Sequence, residues 1–296
     1  MEKKLKPQLS NQEDIRQILQ EIDMEFVLDD GRTIDTLLIY LPCISGKCDH
    51  TDLLRVIKES IMAHFVLSYS EIEAKLSLNI ADAPDLLFKK AVRKLSQHTA
   101  KGEIGELLLF ALLDVYFQAP KILSKISLKT SRRVPVFGAD AVHAQYVNNS
   151  IRLYLGESKL RKNFDAAATS AAESISSYID KYRDEFDLID SYIDFPEMDD
   201  NLKNELIDLL NPFTDLDNEI LHAPCFIGFC DPDIFSDDED DYLNRYTEMA
   251  CKNIGSFYDK LETEGIDINK TALMLLPFSS LDSLVEDFIS YMEIES

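Results

Sequence analysis

Residues 138–160 read GADAVHAQYVNNSIRLYLGESKL, and this stretch decides the fold. Its first part alternates in polarity and its second part is largely apolar, as expected of strands that bury one or both faces. Asn148-Asn149 lies between the two parts and favours a hairpin turn. The stretch therefore predicts two antiparallel strands, at about residues 137–147 and 151–160.

The flanking sequence predicts helices on either side of this hairpin. Residues 103–117 are strongly apolar with a helical pattern, and residues 164–182 are rich in Ala and Ser, a composition that packs closely on a sheet. A further strand fits near residues 126–130. The resulting order of helix, strand, strand and helix predicts a mixed α/β fold, in which helices flank a core sheet.

Two charged residues interrupt the apolar second strand. Glu157 and Lys159 are two residues apart, so they point to the same face as Leu155. Asp140 lies on the preceding strand, with sixteen residues between it and Glu157. Charged groups on a buried face require a task or a partner. Paired carboxylates bind Mg²⁺, and a neighbouring lysine can orient water or stabilise charge on a phosphate, so the pattern points to phosphodiester hydrolysis.

The preceding helix carries two further carboxylates, Glu103 and Glu106, on one side. Either one is a candidate third metal ligand. We prefer Glu106, because Glu103 lies where it simply favours the start of the helix. His143 is on the strand face opposite to Asp140, which favours a structural role over that of a general base.

Charge is distributed unevenly along the 296-residue chain, whose net charge is −24. Residues 181–296 hold 30 acidic and 7 basic residues, whereas residues 101–163 hold 5 acidic and 10 basic residues. A locally basic segment is expected beside a polyanion. The candidate phosphate contacts are Lys125, Lys129, Arg132 and Arg133. A solvated charged surface is an equally good interpretation of this run.

The length and the 46% hydrophobic content are those of a globular protein with a substantial core. We divide the chain into an N-terminal α/β region (1–98), a core (99–184) and an acidic C-terminal α/β region (185–296), which together can form one compact unit. No signal peptide or membrane-spanning stretch is recognised, and the five cysteines argue against a disulfide framework, so we expect a cytoplasmic protein. Two Cys-x4-Cys pairs raise the question of zinc, but buried thiols are the better interpretation.

Asp140 together with Glu157-Ser158-Lys159 resembles the PD-(D/E)xK nuclease superfamily, although Ala139 stands where that family often has proline. More narrowly, residues 102–109, 138–143 and 155–159 are similar to the HamA family, the nuclease subunits of the Hachiman antiphage defence system. The resemblance implies a restriction-endonuclease-like core sheet with N- and C-terminal extensions.

The same resemblance implies that Asp140 and Glu157 bind Mg²⁺ or Mn²⁺ and that Lys159 acts on the water or the phosphate. Glu106 would be the carboxylate carried by the helix. It also implies a DNA substrate and a DExH-type, HamB-like helicase partner. One alternative is a non-catalytic interaction module that keeps the nuclease-like fold and binds a basic partner through the acidic C-terminal region. Another keeps the chemistry but acts on branched DNA.

Overall fold

A computed structural model gives the fold of the chain. It describes residues 5–44, 47–48, 50–78, 81–129, 138–183, 186–187, 198–211, 213 and 220–295. The side chains at positions 43, 44, 47, 48, 124 and 125 are outside this description.

The strands of the described residues are short except for the central one. They are β1 (Gln20–Ile22), β2 (Phe26–Val27), β3 (Thr33–Ile34), β4 (Thr36–Tyr40), β5 (Cys43–Ile44), β6 (Lys47–Cys48), β7 (Lys121–Ser124), β8 (Ala141–Val147), β9 (Ser150–Arg161), β10 (Leu221–His222), β11 (Cys225–Cys230) and β12 (Leu273–Phe278). Eight of these described strands form one mixed sheet in the order β1-β4-β12-β11-β9-β8-β7, with β10 also paired to β9.

The sheet combines an antiparallel meander with a parallel half. β7, β8 and β9 pair antiparallel, whereas β9, β11, β12 and β4 run parallel to one another. Strands from the predicted N-terminal region, core and C-terminal region thus belong to the same sheet. The boundaries between these three regions stay a prediction. Asn148 and Asn149 both have positive φ, of 51° and 65°, which suits the tight hairpin between β8 and β9.

Helices cover both faces of the sheet. They are α1 (Gln12–Ile18), α2 (Thr51–Val56), α3 (Met62–Val66), α4 (Tyr69–Leu76), α5 (Ala83–Val92), α6 (Ala100–Val115), α7 (Phe164–Ile179), α8 (Asp200–Leu209), α9 (Glu239–Thr263) and α10 (Leu281–Met292). A π-helical turn, Ile57–Ile61, joins α2 to α3. Among the described residues, no helix combines the length and the apolar character needed to cross a membrane.

Two hydrophobic clusters lie on opposite faces of the sheet, because successive side chains of β9 point to opposite faces. Leu153 and Leu155 face the cluster that contains α7 and α9, whereas Leu160 faces the cluster that contains α6 and α10. α6 is buried on nearly every side, because its residues are apolar around the whole circumference. The described chain is therefore layered as helices, sheet and helices, with β9 near its centre.

The predicted elements match the observed ones in type more often than in extent. The mixed α/β fold, the hairpin and the two flanking helices are confirmed. The predicted strand at 126–130 was wrong where the chain is described: β7 begins earlier, at Lys121, and a 3-10 turn occupies Lys125–Leu128. The flanking helices differ from the prediction at their ends: α6 covers Ala100–Val115 instead of residues 103–117, and α7 ends at Ile179 instead of residue 182.

Gly228 of β11 provides a test of the packing around β9. A Cβ at this position would overlap the side chain of Leu160 and lie 3.0 Å from Cε2 of Phe278. We expect Gly228→Ala to lower the free energy of unfolding by about 1–3 kcal/mol, because a well-packed core does not accept an extra methyl group. Urea unfolding would measure the change.

Gly255 is the matched control for this prediction, since a Cβ there meets nothing within 4 Å and the residue lies inside α9. Gly255→Ala is expected to raise stability by up to about 1 kcal/mol through helix propensity. Equal stability of Gly228→Ala and the wild type would contradict the packing described for β11.

Candidate functional site

The candidate site lies where β9 runs past the beginning of β8. The register pairs Ala141 with Gly156, so residues of β9 from Glu157 onward have β11 on one side but extend beyond β8 on the other. Asp140 lies at this step, and its backbone N–H donates to the carbonyl of Gly156 over 2.9 Å. The two sequence motifs therefore meet at one end of the hairpin.

Glu157 and Lys159 form an ion pair within the sheet. Lys159 Nζ donates to Glu157 Oε1, and the side chains of Lys159 and Glu157 are only 16% and 5% exposed. The register places them on the face of β9 that also carries Leu153 and Leu155, in agreement with the predicted alternation. Burying two charges is costly even when they are paired, so this pair is weak evidence for stability and better evidence for a function.

Cys225 pairs with Glu157 across the β9–β11 ladder. Burial raises the pKa of its thiol well above the usual value, and the nearby negative charge of Glu157 adds to this effect. The charges of Lys159 and Asp140 also act on this thiol, so three of the four predicted catalytic residues lie near it. Cys225 is therefore a neutral, buried thiol beside the carboxylates, as the sequence favoured.

Asp140 is held by the residue between the two motif charges. Its Oδ2 accepts hydrogen bonds from the backbone N–H and from the hydroxyl of Ser158, both over 2.9 Å. These two donors fix one carboxylate oxygen of Asp140 beside β9. Sequence analysis missed Ser158, although its position inside the Glu-x-Lys motif was the available signal.

α6 approaches this place from the opposite face of the sheet. A Cβ on Gly105 would lie 3.3 Å from the hydroxyl oxygen of Ser158, so the helix backbone passes very close to the strand. Glu106 follows directly and is half-buried. The described residues nevertheless contain no group of three His, Cys, Asp or Glu side chains placed to hold one metal ion. The part of Glu106 in the site stays a prediction.

Glu103 has structural partners. Its Oε1 accepts hydrogen bonds from Lys129 Nζ and from the Thr99 hydroxyl, each over 2.6 Å, and its Oε2 accepts the N–H of Ser96 at 3.2 Å. The side chains of Glu103 and Lys129 are 2% and 9% exposed. This buried pair ties the start of α6 to the segment after β7, and a metal-binding role for Glu103 stays a prediction.

The basic residues proposed for phosphate contact are only partly described. Lys129 is engaged with Glu103, Arg132 and Arg133 lie outside the described residues, and the side chain of Lys125 is likewise not described. Lys121, in the same basic run, is buried and donates to the carbonyls of Phe65 and Leu67 at the end of α3. Two of the cations in this run therefore stabilise the fold.

His143 has the structural role that its position in the strand predicted. It is fully buried, its Nδ1 lies 2.7 Å from the carbonyl oxygen of Ala119, and its ring packs against Phe110. Burial lowers the pKa of His143 to about 3, so the ring is neutral throughout the physiological range. A neutral imidazole on the α6 side of β8 does not face Glu157.

The donor chemistry of the site fits Mg²⁺ or Mn²⁺. Asp140 and Glu157 provide hard oxygen atoms, and Mg²⁺ in proteins is commonly bound by one or two carboxylates with water and phosphate oxygens completing the shell. The neutral Cys225 thiol adds no ligand suited to these ions. Two carboxylates and one lysine are thus the part of the predicted constellation that the fold brings together.

The sequence of the chain matches a known protein family. A family model described as HamA matches residues 16–292, which is nearly the whole chain. No curated protein matches the chain. The match includes all of the site residues described above.

Proposed function

The chain belongs to the HamA family, which associates it with Hachiman-type defence, and from this and the geometry of the site we propose that it is a metal-dependent DNA nuclease. One observation carries the proposal. Asp140 lies at the end of the hairpin beside Glu157 and Lys159, and the Glu157–Lys159 ion pair is buried there, where placing two charges is costly. This grouping supports phosphodiester hydrolysis.

The residues have distinct roles in this proposal. Asp140 and Glu157 would hold the divalent ion, which when bound would lower the pKa of a water molecule and offset charge on the phosphate. Ser158 keeps Asp140 oriented through its backbone N–H and hydroxyl. Lys159 would donate to the attacking water or to the phosphate oxygens, as its position beside Glu157 allows.

A cleavage assay tests the proposal directly. Purified chain is incubated with supercoiled plasmid, linear duplex and single-stranded DNA, and with RNA, in Mg²⁺, Mn²⁺ or EDTA. We expect loss of DNA with either metal and none in EDTA. Absence of cleavage in both metals, with and without the helicase partner, would overturn the nuclease proposal and favour the non-catalytic interaction module.

We also propose that a DExH-type, HamB-like helicase contacts the acidic C-terminal region. Residues 237–241 are all acidic, and α9 starts within them. Two of these five acidic residues have structural partners within the helix. Asp238 accepts the N–H of Asp241 as the helix cap, and Asp241 pairs with Arg245. Asp237, Glu239 and Asp240 are exposed and are the acids to test.

The triple variant Asp237→Asn, Glu239→Gln and Asp240→Asn is expected to weaken helicase binding at least about tenfold, because exposed charge pairs contribute modestly but add up. Co-purification and light scattering would measure binding. The matched control neutralises Asp23, Glu25 and Asp29, three exposed acids near the N-terminal hairpin, and so changes net charge equally. Equal binding by both triple variants would contradict a specific role for the C-terminal acids.

A further inference from the structure

A second polar cleft lies on the α6 side of the sheet, beyond the carboxyl end of that helix. Its volume is about 340 Å³, and it is open to solvent on one side. Tyr154 lines the cleft on the α6 face of β9, whereas Glu157 and Lys159 lie on the opposite face, and Glu157 is three residues further along the strand, roughly 10 Å away. The cleft is therefore separate from the Asp140–Glu157–Lys159 site.

Aromatic rings form one wall of this cleft. Phe117 and Tyr154 meet edge to face with centroids 6.1 Å apart, and the rings of Tyr154 and His222 lie 5.6 Å apart at 46°. Gln145 fixes this wall, since its Oε1 accepts the Tyr154 hydroxyl and its Nε2 donates to the carbonyl of Phe117. Tyr154 is only 4% exposed, so the half-buried rings of Phe117 and His222 provide the accessible aromatic surface, which suits a planar heterocycle.

Two cations and one carboxylate are distributed around the same cleft. Arg152 contacts the Tyr154 hydroxyl and lies near Asp35, while Lys270 is on the turn before β12 and lies 3.6 Å from Asp267, outside the cleft lining. Guanidinium and ammonium groups bind phosphate oxygens, and a carboxylate accepts hydrogen bonds from a sugar hydroxyl or an exocyclic amine. The cleft therefore has two cations and one carboxylate, whereas the proposed metal site has two carboxylates and one lysine.

Thr271 is a buried polar residue in the wall of this cleft. The residue is 2% exposed, and its hydroxyl has no hydrogen-bond partner among the described residues. Buried hydroxyls are normally paired, so the wall contains one polar group that the fold leaves unsatisfied. The volume is within the range of small-molecule sites, roughly 300–1,000 Å³.

We propose that this cleft binds a nucleotide, with the base against His222 at the aromatic wall and the phosphate between Arg152 and Lys270. The bound group is either a free nucleoside monophosphate or the terminal nucleotide of a strand. The inference goes beyond the proposed nuclease activity, because it uses none of the residues assigned to cleavage.

Isothermal titration with the full chain tests the proposal. The probes are the four 5′-deoxynucleoside monophosphates, deoxyribose 5-phosphate, inorganic phosphate and a 5′-phosphorylated tetranucleotide. We expect at least one monophosphate or the tetranucleotide to bind at least tenfold more tightly than either base-free phosphate. Binding by the tetranucleotide alone assigns the cleft to a strand terminus, whereas tight binding by a monophosphate assigns it to a free nucleotide.

Variants of one cation on β9 and one on the turn before β12 test whether both contribute to binding. Arg152→Gln and Lys270→Gln should each weaken binding at least tenfold, whereas Arg55→Gln, an exposed arginine on α2, should not. Equal binding of phosphate and nucleotide, unchanged binding in both cleft variants, or no binding of any probe would overturn the proposal.

Discussion

Replacing Lys159 by glutamine is expected to reduce DNA cleavage by about 10²–10³-fold, the usual cost of removing one donor aimed at developing charge. Glu157→Gln should have a loss of at least this size, because it also removes a carboxylate proposed to hold the metal ion. Both effects follow from the position of the two side chains in one buried pair. Initial rates on supercoiled plasmid at saturating Mg²⁺ would measure them.

Folding must be separated from catalysis in these variants. Lys159→Gln leaves Glu157 buried without its cation, which is itself destabilising. The double variant Glu157→Gln, Lys159→Met removes both charges and should fold well, as judged by thermal unfolding, yet remain inactive. Lys162→Gln is the matched control, because Lys162 is exposed near the end of the same strand and pairs only at the surface with Asp282. A double variant that cleaves within tenfold of the wild type would contradict the proposed site.

The hairpin and its charged end were predictable because the relevant information is local. The two-residue period of a strand fixes which side chains share a face, and Asn148-Asn149 accepts the positive φ values that a tight turn needs. The spacing of Leu155, Glu157 and Lys159 is therefore enough to assign them to one face. Ser158 as an anchor for Asp140 depends on the strand register, which the sequence only suggests.

The parts that sequence did not reveal depend on distant contacts. Lys121 resembles a surface lysine in sequence, but its ammonium group satisfies carbonyls at the end of α3, more than fifty residues earlier in the chain. Likewise, β11 and β12 join β9 to β4 through parallel pairing across long intervals of sequence. Periodicity identifies such strands but does not choose their partners.

Lys129→Met is expected to lower the free energy of unfolding by about 3–5 kcal/mol, because it leaves the carboxylate of Glu103 buried without its cation. Thr99 and Ser96 would still donate hydrogen bonds to this carboxylate, but they carry no compensating charge. Urea unfolding would measure the loss. Lys89→Met is the matched control: its pair with Asp85 is exposed, so the change should be no more than about 0.5 kcal/mol.

The double variant Glu103→Gln, Lys129→Met decides between a structural and a metal-binding Glu103. Removing both charges together avoids the unpaired buried carboxylate, so stability should return to within about 1–2 kcal/mol of the wild type. If Glu103 only ties α6 to the segment after β7, this variant should also cleave DNA at a rate close to that of the wild type. A stable double variant without cleavage would instead place Glu103 in the metal site and would transfer to it the role expected of Glu106.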